Sequence, residues 1–561
     1  MKFLNFQIGL LVTVLCMNYL VLGDMAYTCD VIIAGGSTAA LGAALSAARA
    51  DANLVVCLTE PSDWLGGQLT SSAVSAIDFG TLNRNWWFQS TTFQAMINSL
   101  GSNHGACWVS TVCYLPKDIL VWINDNVARL PNLKVFYNTV VKSVTTDNDT
   151  VSSVYAIQRS SKDGIDQWGR LLSDTIRDWY SPADSAMFTK SVITLQRSNG
   201  GTPVIIDASE FGDVLALGKT GYRQGVEYPT ENSSATNERC GQRFTIPFYM
   251  NYNHVRLNDT TPLQSHGVYS MGTSPWGNIW SYRRSKSMPG LVFHQAHIGE
   301  IANQNWGTGN DFLDSYILLS ESETTGQLSN WMGGIDVSVL LLGEARAYGW
   351  YHFYKNQSGS IKEYLGLDTL HSAGTQTGLA KLPYIRDTRR SVGLDGFVLK
   401  KSDMDTPVCS SPNISQVSPN VNPHALNCKQ YATRFPDSVA IGNYLADIHG
   451  VANCAWPSYI NNYKTLPFHV PFRALTNQRY SNLLVAGKTM SQTFMANAAT
   501  RTHPTEFATG EAAGMAASLM VNNGYSSRDM LANIDSLQKE LRKFMPLYWD
   551  EPRVGQLTVI G

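Results

Sequence analysis

Two regimes of apolar and polar residues alternate along this chain. Near both ends, short unbroken apolar runs are followed by a glycine-containing turn and a stretch of small residues. "DVIIAG", from Asp30, is such a run, as a parallel strand covered on both faces requires. "STAALGAALSAARA" then predicts a helix with Ala39, Ala40, Ala43 and Ala44 on closely spaced positions, and "NLVVCLTE" predicts a second strand. "LKVFYNTVVKSVTT" alternates and predicts a strand of a smaller sheet. "TPVIIDASEFGDVLALGKTGY" returns to a buried strand, a turn and a helix. "SNLLVAGKTMSQTFMANAATRTHPTEFATGEAAGMAASLMVNNG" does so again, with its helix expected from about Gly510. The middle is rich in Trp, Tyr, Asn and Pro, and "EARAYGWYHFY" reads there as a packed aromatic helix.

These patterns predict an α/β fold. A Rossmann-like, nucleotide-binding domain with a central parallel sheet is assembled from discontinuous segments, residues 24–226 and 476–561. A mixed α+β substrate domain, 227–475, lies between them in the chain.

The first turn, Gly35-Gly36-Ser37-Thr38-Ala39-Ala40, stands where a helix amino terminus offers free N–H groups to a diphosphate. Gly35 permits the tight turn, and Ala40 is an accepted substitute for the glycine at which helix and strand pack. Ser37 departs from the pattern, and its hydroxyl is expected to donate to a phosphate oxygen. Alone, the stretch also reads as an ordinary strand-to-helix turn. Glu60 ends the second strand about 20 residues on, where an acid binds ribose hydroxyls, and "PSDWLGGQLT" follows it with a second Gly-Gly turn.

Composition narrows the setting. With 15% charged residues, net charge −2 and no basic block, nothing points to nucleic acid or an acidic membrane surface. Residues 1–23 read as a removable export signal, with Lys2 followed by an apolar run from Ile8 to Leu22; the alternative is a membrane anchor. No stable membrane insertion is expected. Export agrees with sequons at Asn148, Asn232, Asn258, Asn356 and Asn413, where N-glycans are expected. Removing Cys16 with the signal leaves eight of the nine cysteines, an even number suited to an oxidising compartment. Cys29 and Cys57, in apolar strands, read as buried thiols. Cys107, Cys113, Cys409, Cys428 and Cys454 are the disulfide candidates. No Cys/His spacing resembles a zinc site, so no metal is expected.

Asp30 to Ala44, Glu60, Gly66-Gly67, "VIIDASEFGDVLALG" and the closing "NLLVAGKTMSQTFMANAATRTHPTEFATGEAAG" together resemble the FAD-dependent oxidoreductases related to glutathione reductase and fumarate reductase. "CWVS", "YIRDTRR" and "DSVAIGNYLADIHG" are most similar to a mainly bacterial set of these flavoproteins with poorly defined substrates. The resemblance implies FAD as cofactor. It places Gly35, Gly36, Ser37, Thr38, Ala39 and Ala40 around the pyrophosphate, Glu60 and Pro61 at the adenosine ribose, and Gly66, Gly67 and Gln68 near the ribityl chain. Val141 would meet the adenine through its backbone, Ala208 and Ser209 would flank the cofactor, and Gly487 would approach the ribityl chain. Many relatives have an acid where this chain has Lys488, which offers an ammonium to phosphate instead. The helix expected at Gly510, with Glu511, Ala512 and Ala513, would aim its positive end at the flavin N1–C2=O edge, where reduced flavin is negative.

For catalysis, "ATRTHPTEF" supplies His503 as a base, Arg501 to hold a substrate carboxylate, and Glu506 to orient either. The competing reading is a structural Arg501–Glu506 ion pair with His503 capping a loop. Arg386, Asp387, Arg389 and Arg390 suit either substrate carboxylates or an interdomain salt-bridge network. His449, His469 and Arg473 are further candidates. With no second glycine fingerprint for a nicotinamide cofactor, the expected enzyme oxidises a small organic substrate and passes electrons to O2. A dehydrogenase with another acceptor, a non-redox flavoprotein, or a binding protein that keeps only the fold are the alternatives.

Overall fold

The computed structural model describes residues 25–80, 88–103, 105–287, 294–405, 432–460, 462–549 and 551. The proposed signal segment, Cys409, Cys428 and Asn413 therefore lie outside the described residues.

The apolar runs become one five-stranded parallel sheet. Its members are β1 (Val31–Ala34), β2 (Val56–Thr59), β3 (Leu133–Phe136), β4 (Val204–Asp207) and β5 (Leu483–Val485), in spatial order β5-β4-β1-β2-β3. Their registers are parallel throughout, for example Ile32 opposite both Cys57 and Ile205. β4 and β5, whose first residues Val204 and Leu483 are 279 positions apart in the chain, thus become neighbours beside β1, as the discontinuous reading requires. The alternating stretch expected as one strand divides instead. Leu133–Phe136 closes the parallel sheet as β3, and Thr139–Asp147 enters a second sheet after a reversal at Asn138, whose φ is +52°. A single residue in the left-handed region was enough to send the two halves to different sheets.

The second sheet runs in the order Met25–Thr28, Phe188–Gln196, Thr150–Ser161, Thr139–Asp147. A third, antiparallel sheet in the middle of the chain orders Arg284–Lys286, Ile301–Gln304, Phe248–Tyr252 and Leu365–Leu367. Against it packs the aromatic helix Val337–Asn356, whose Trp350, Tyr351 and Tyr354 are fully buried. Residues 432–475 include an antiparallel pair, Ser438–Gly442 with Phe468–Pro471, whose Val439, Phe468 and Val470 share the core of the parallel sheet's helices.

Two helices define that core: α1 (Thr38–Ala50) and α2 (His503–Asn523). The second begins at His503, two turns before the expected Gly510, with Thr502 as its cap residue and Pro504 in its first turn, where a missing N–H costs nothing. Gly510 and Gly514 do not mark a turn. A Cβ at Gly510 would lie 2.0 Å from the Ala39 carbonyl oxygen, and one at Gly514 2.2 Å from that of Ala43. The glycines let α2 cross α1 backbone to backbone.

Among the described residues there are three disulfides: Cys29–Cys57, Cys107–Cys113 and Cys240–Cys454. The first corrects the expectation of buried thiols. Cys29 directly precedes β1 and Cys57 lies in β2, so the parallel pairing brings their Cα atoms to 5.8 Å.

Candidate functional site

A cavity opens where β1, β2 and β4 end, at the carboxyl edge of the parallel sheet. Its rim carries Gly35, Gly36, Ser37, Glu60, Pro61, Gly67 and Val141, all expected from the sequence, together with Ser209. Sequence patterning missed Thr139, Val140, Ile176, Trp179, Tyr180, Glu210, Phe211, Asp213, Leu382 and Pro383, which also line it. Of these, Glu210, Phe211 and Asp213 were within reach, since they follow the quoted strand "VIID". Nothing in the sequence marks the helix Leu172–Trp179 or Leu382 as neighbours of that edge.

The end of the cavity at which the sequence leads one to expect a ribose is built by β1 and β2. Glu60 is fully buried; Ser62 donates to its Oε1 from both backbone and hydroxyl at 2.7 Å, while its Oε2 has no partner among the described residues. That free oxygen leaves no room for a side chain on the turn: a Cβ at Gly36 would lie 1.6 Å from it. Burial pushes the Glu60 carboxyl up to about 8, opposed by the Ser62 hydrogen bonds. Trp179 and Tyr180 close this end, with the Arg159 guanidinium stacked 3.6 Å from the Trp179 ring centroid.

Next comes the amino terminus of α1. Ser37 caps it, its hydroxyl accepting from Ala40 N at 3.2 Å, which leaves the hydroxyl proton to donate outward. Gly35, at φ +88°, presses on Ser209: a Cβ there would be 2.4 Å from the Ser209 Cα. The Gly66-Gly67 turn folds back onto the same place, tied by Gly66 N to Gly36 O at 3.0 Å and by the Thr38 hydroxyl to Gly66 O at 2.8 Å. Thr38, Ala39, Ala40, Gly66 and Ala208 thus form the wall behind the cavity rather than its lining. Ala39 and Ala40 are fully buried, and Ala208 N bonds to Ala34 O.

Beyond the amino terminus of α1, Lys488 is buried and bridges two acids, Glu210 Oε2 at 2.8 Å and Glu506 Oε1 at 2.9 Å. Burial alone would lower its pKa; the two carboxylates overcome this and raise it. Glu506 therefore pairs with Lys488, not with Arg501 or His503 as expected, because the early helix start puts it in the first turn, against Gly487. Burial pushes its carboxyl up to about 7 despite Lys488. Gln68 donates to the Arg501 carbonyl at 3.0 Å, and its Oε1, like Glu210 Oε1 and Glu506 Oε2, has no hydrogen-bonding partner among the described residues.

At the far end Arg501 is nearly fully buried. Its Nη1 donates to the Tyr384 hydroxyl at 2.6 Å, and its Nη2 reaches the Asp447 carbonyl at 2.9 Å and Asp447 Oδ2 at 3.1 Å. His449 stands between two carboxylates, Nδ1 at 2.8 Å from Asp311 Oδ2 and Nε2 at 3.1 Å from Asp447 Oδ2, and Arg386 holds the other oxygen of Asp311 at 2.9 Å. Burial works against ionisation of Asp447, but His449 and Arg501 hold its carboxyl well below the usual range. Asp78, facing the same group, is pushed by burial up to about 6, with Arg283 opposing. Pro383, which lines the cavity, directly precedes Tyr384, so this polar cluster is joined to the cavity wall through the chain.

Several expected roles change. His503 Nε2 lies 2.9 Å from the Val74 carbonyl, and burial drives its pKa down to about 3, which makes it a neutral hydrogen-bond donor rather than a base. Glu511, Ala512 and Ala513 sit in the third turn of α2, away from its positive end. Ala512 and Ala513 pack in the core, and Glu511 faces Ser90, Thr92 and Arg49. Arg389 donates to carbonyls of Phe211 and Gly334, Arg390 pairs with Glu227 at 3.1 Å, and Asp387 accepts from Gln242 N and the Tyr316 hydroxyl. These are the buried cross-links of the structural alternative. His469 bonds to the Thr433 carbonyl and Arg473 to Asp437, neither next to the cavity.

The row of unpartnered oxygens, Glu60 Oε2, Glu210 Oε1, Glu506 Oε2 and Gln68 Oε1, together with cavity walls that no Cβ could share, fits a long polar ligand laid from β2 across α1 to the start of α2. The residues present therefore suit an extended dinucleotide such as FAD.

The chain matches the family described as FAD dependent oxidoreductase over residues 30–166 and 185–541. No curated protein matches it. Solved structures similar to it include a geranylgeranyl bacteriochlorophyll reductase-like protein from Thermoplasma acidophilum, at 10% identity over 92% of this chain and 84% of that one, with a TM-score of 0.36. Another is E. coli quinol fumarate reductase FrdA, at 11% identity over 93% and 75%, TM-score 0.31. For the p-nitrophenol 4-monooxygenase PnpA of Pseudomonas putida, at 11% identity and TM-score 0.23, the match spans 41% of this chain and about half, 48%, of that one. The assignment rests on the family match, which spans most of the sequence: the chain belongs to the FAD-dependent oxidoreductase family, with FAD as its cofactor.

Proposed function

We propose that this protein oxidises a small organic substrate by hydride transfer to FAD in an oxidising compartment, with O2 as the electron acceptor and hydrogen peroxide as the product. The observation that carries the reading is the polar group Arg501, Tyr384, Asp447 and His449, which Tyr384 joins through Pro383 to the lining of the cavity at the carboxyl edge of the parallel sheet. When bound, FAD supplies the two-electron acceptor. Gly36, Ser37, Glu60 and Gly67 hold its adenosine and diphosphate parts, and Lys488 sets the charge beside them. The amino terminus of α2, at Thr502 and His503, contributes a positive dipole end to the flavin region.

At the substrate end, Arg501 orients an oxygen-bearing substrate with Tyr384, and the hydrogen-bonded Asp447–His449 pair relays the O–H or N–H proton that oxidation releases, with Asp447 held ionised to orient the ring. The His449 side chain, 21% exposed and bonded to Asp447 through Nε2, passes that proton to solvent. Export is supported by the three disulfides and by the exposed positions of Asn148, Asn232, Asn258 and Asn356, where N-glycans are proposed. No helix among the described residues is long and apolar enough to cross a membrane.

The test is anaerobic mixing of the purified flavoprotein with a panel of hydroxy acids, amino acids, amines and sugars, followed by readmission of oxygen. Bleaching of the flavin band with peroxide formed on recovery supports the reading. Bleaching that recovers only with an added acceptor favours a dehydrogenase, and product without bleaching refutes oxidation.

A further inference from the structure

The cavity that takes an anionic diphosphate is itself rich in acids. Glu60, Glu210 and Asp213 line it, and Glu506 stands directly behind Gly487, where a Cβ would lie 3.5 Å from its Cγ. Against these, one buried ammonium, Lys488, is shared by Glu210 and Glu506 at 2.8 and 2.9 Å. The place a Gly67 Cβ would fill is 2.9 Å from Glu210 Oε1 and 3.0 Å from Thr38 N, so this carboxylate edge stands beside the first N–H groups of α1. Fully ionised, Glu210, Lys488 and Glu506 carry one net negative charge, to which a diphosphate adds two more. Like charges this close in a water-poor site are not all kept; one acid takes a proton instead.

We propose that FAD binding draws one proton from solvent onto Glu506, so that Glu210, Lys488 and Glu506 meet the diphosphate as one carboxylate, one ammonium and one neutral acid. This inference rests on the FAD reading above. The proton forms an O–H bond on Oε2, which has no other partner among the described residues, and turns that oxygen into a donor towards the cofactor. The charged groups facing Glu506 are Lys488 on the strand-β5 side and Glu210 on the strand-β4 side, with the Gln68 amide from the loop after β2. His503, on its own helix, is neutral. Burial already lifts the free Glu506 carboxyl to about 7, so added negative charge carries it higher.

Calorimetric titration of FAD into the full-length apoprotein in phosphate and in Tris separates the proton heat from the binding heat. Uptake of roughly 0.5–1 proton is expected near pH 8 and almost none near pH 5.5, with Kd weakening by up to about tenfold per pH unit above about 7. Riboflavin, which lacks the diphosphate, takes up no proton, and E506Q binds FAD with no uptake and a flat pH profile. FAD binding without uptake near pH 8, uptake undiminished in E506Q, or equal uptake with riboflavin overturns the inference and leaves the cofactor reading intact. Absence of FAD binding at every pH overturns both. Should E506Q give no cooperative melt, the contrast between FAD and riboflavin in the wild type decides the matter.

Discussion

Gly510→Ala is the sharpest probe of how the cofactor cradle is held. In an isolated helix the substitution stabilises by about 1 kcal/mol, because alanine loses less backbone freedom than glycine. Here the new Cβ would stand 2.0 Å from the Ala39 carbonyl oxygen, 2.8 Å from its carbonyl carbon and 2.9 Å from its Cα. The obstacle is backbone on a buried helix, not a side chain that can turn away. To reach an ordinary carbon–oxygen contact, α1 and α2 must part by roughly 1 Å along a seam of alanines, and overpacking of this kind costs about 1–3 kcal/mol. The upper part of that range applies, since neither helix has a solvent side to yield towards, so the net loss is about 2 kcal/mol. For a chain of this size the unfolding entropy is about 1 kcal/mol per kelvin, and the melting temperature should fall by about 2 °C. Because the amino terminus of α1 is the proposed diphosphate site, FAD affinity should fall as well. Denaturant unfolding of the apoprotein and fluorescence titration with FAD read both effects. A variant as stable as the wild type, or more stable, would refute the backbone-to-backbone crossing and leave only the propensity gain.

Other perturbations test other parts of the molecule. Burial raises Glu511 from an ordinary 4.5 to about 8, so its contribution to stability is complete below pH 4.5 and lost as pH rises through about 8. The stability of Glu511→Gln relative to wild type should therefore increase between about pH 5 and 8, by up to a few kcal/mol; parallel pH profiles in urea melts would show that the carboxyl is not buried as described. Non-reducing peptide mapping should recover Cys29–Cys57, whose closed loop of 28 residues predicts a loss of about 3–4 kcal/mol in the double serine variant. Free thiols at both positions would restore the reading from strand pattern alone. Arg501→Lys keeps the charge but loses the fork that reaches Tyr384 and Asp447 together, so substrate reduction of the flavin should slow by more than about tenfold with FAD still bound. An unchanged rate would remove Arg501 from the site.

The inner cluster and the arginine network show two uses of buried charge. Arg386, Arg389 and Arg390 are spent on carbonyls and on Asp311 and Glu227, joining the middle of the chain to the parallel-sheet domain. Arg501 and His449 end on Asp447, whose side chain is 32% exposed, and it is this opening to solvent that suits them to proton traffic.

The sequence by itself determined what depends on local chemistry. An unbroken apolar run such as Val31–Ala34 must be covered on both faces, and a glycine turn before an alanine-rich helix leaves N–H groups free for a diphosphate. An acid at the end of the next strand lies beside that turn, so β1, α1, β2, Gly36 and Glu60 were legible from spacing. Tertiary structure decided what depends on approach between distant segments. Gly510 looked like a helix start because a glycine's local signal is the same whether it permits a turn or a close crossing, and only the position of Ala39 distinguishes them. Cys29 and Cys57 looked like core thiols until strand pairing set their sulfurs together. Lys488, Glu210 and Glu506, separated by up to 296 positions, gained their common role where the ends of β4 and β5 meet the first turn of α2. Charge and pKa belong to such assembled surroundings, because burial and the nearest opposite charge are properties of the packed interior, not of the chain.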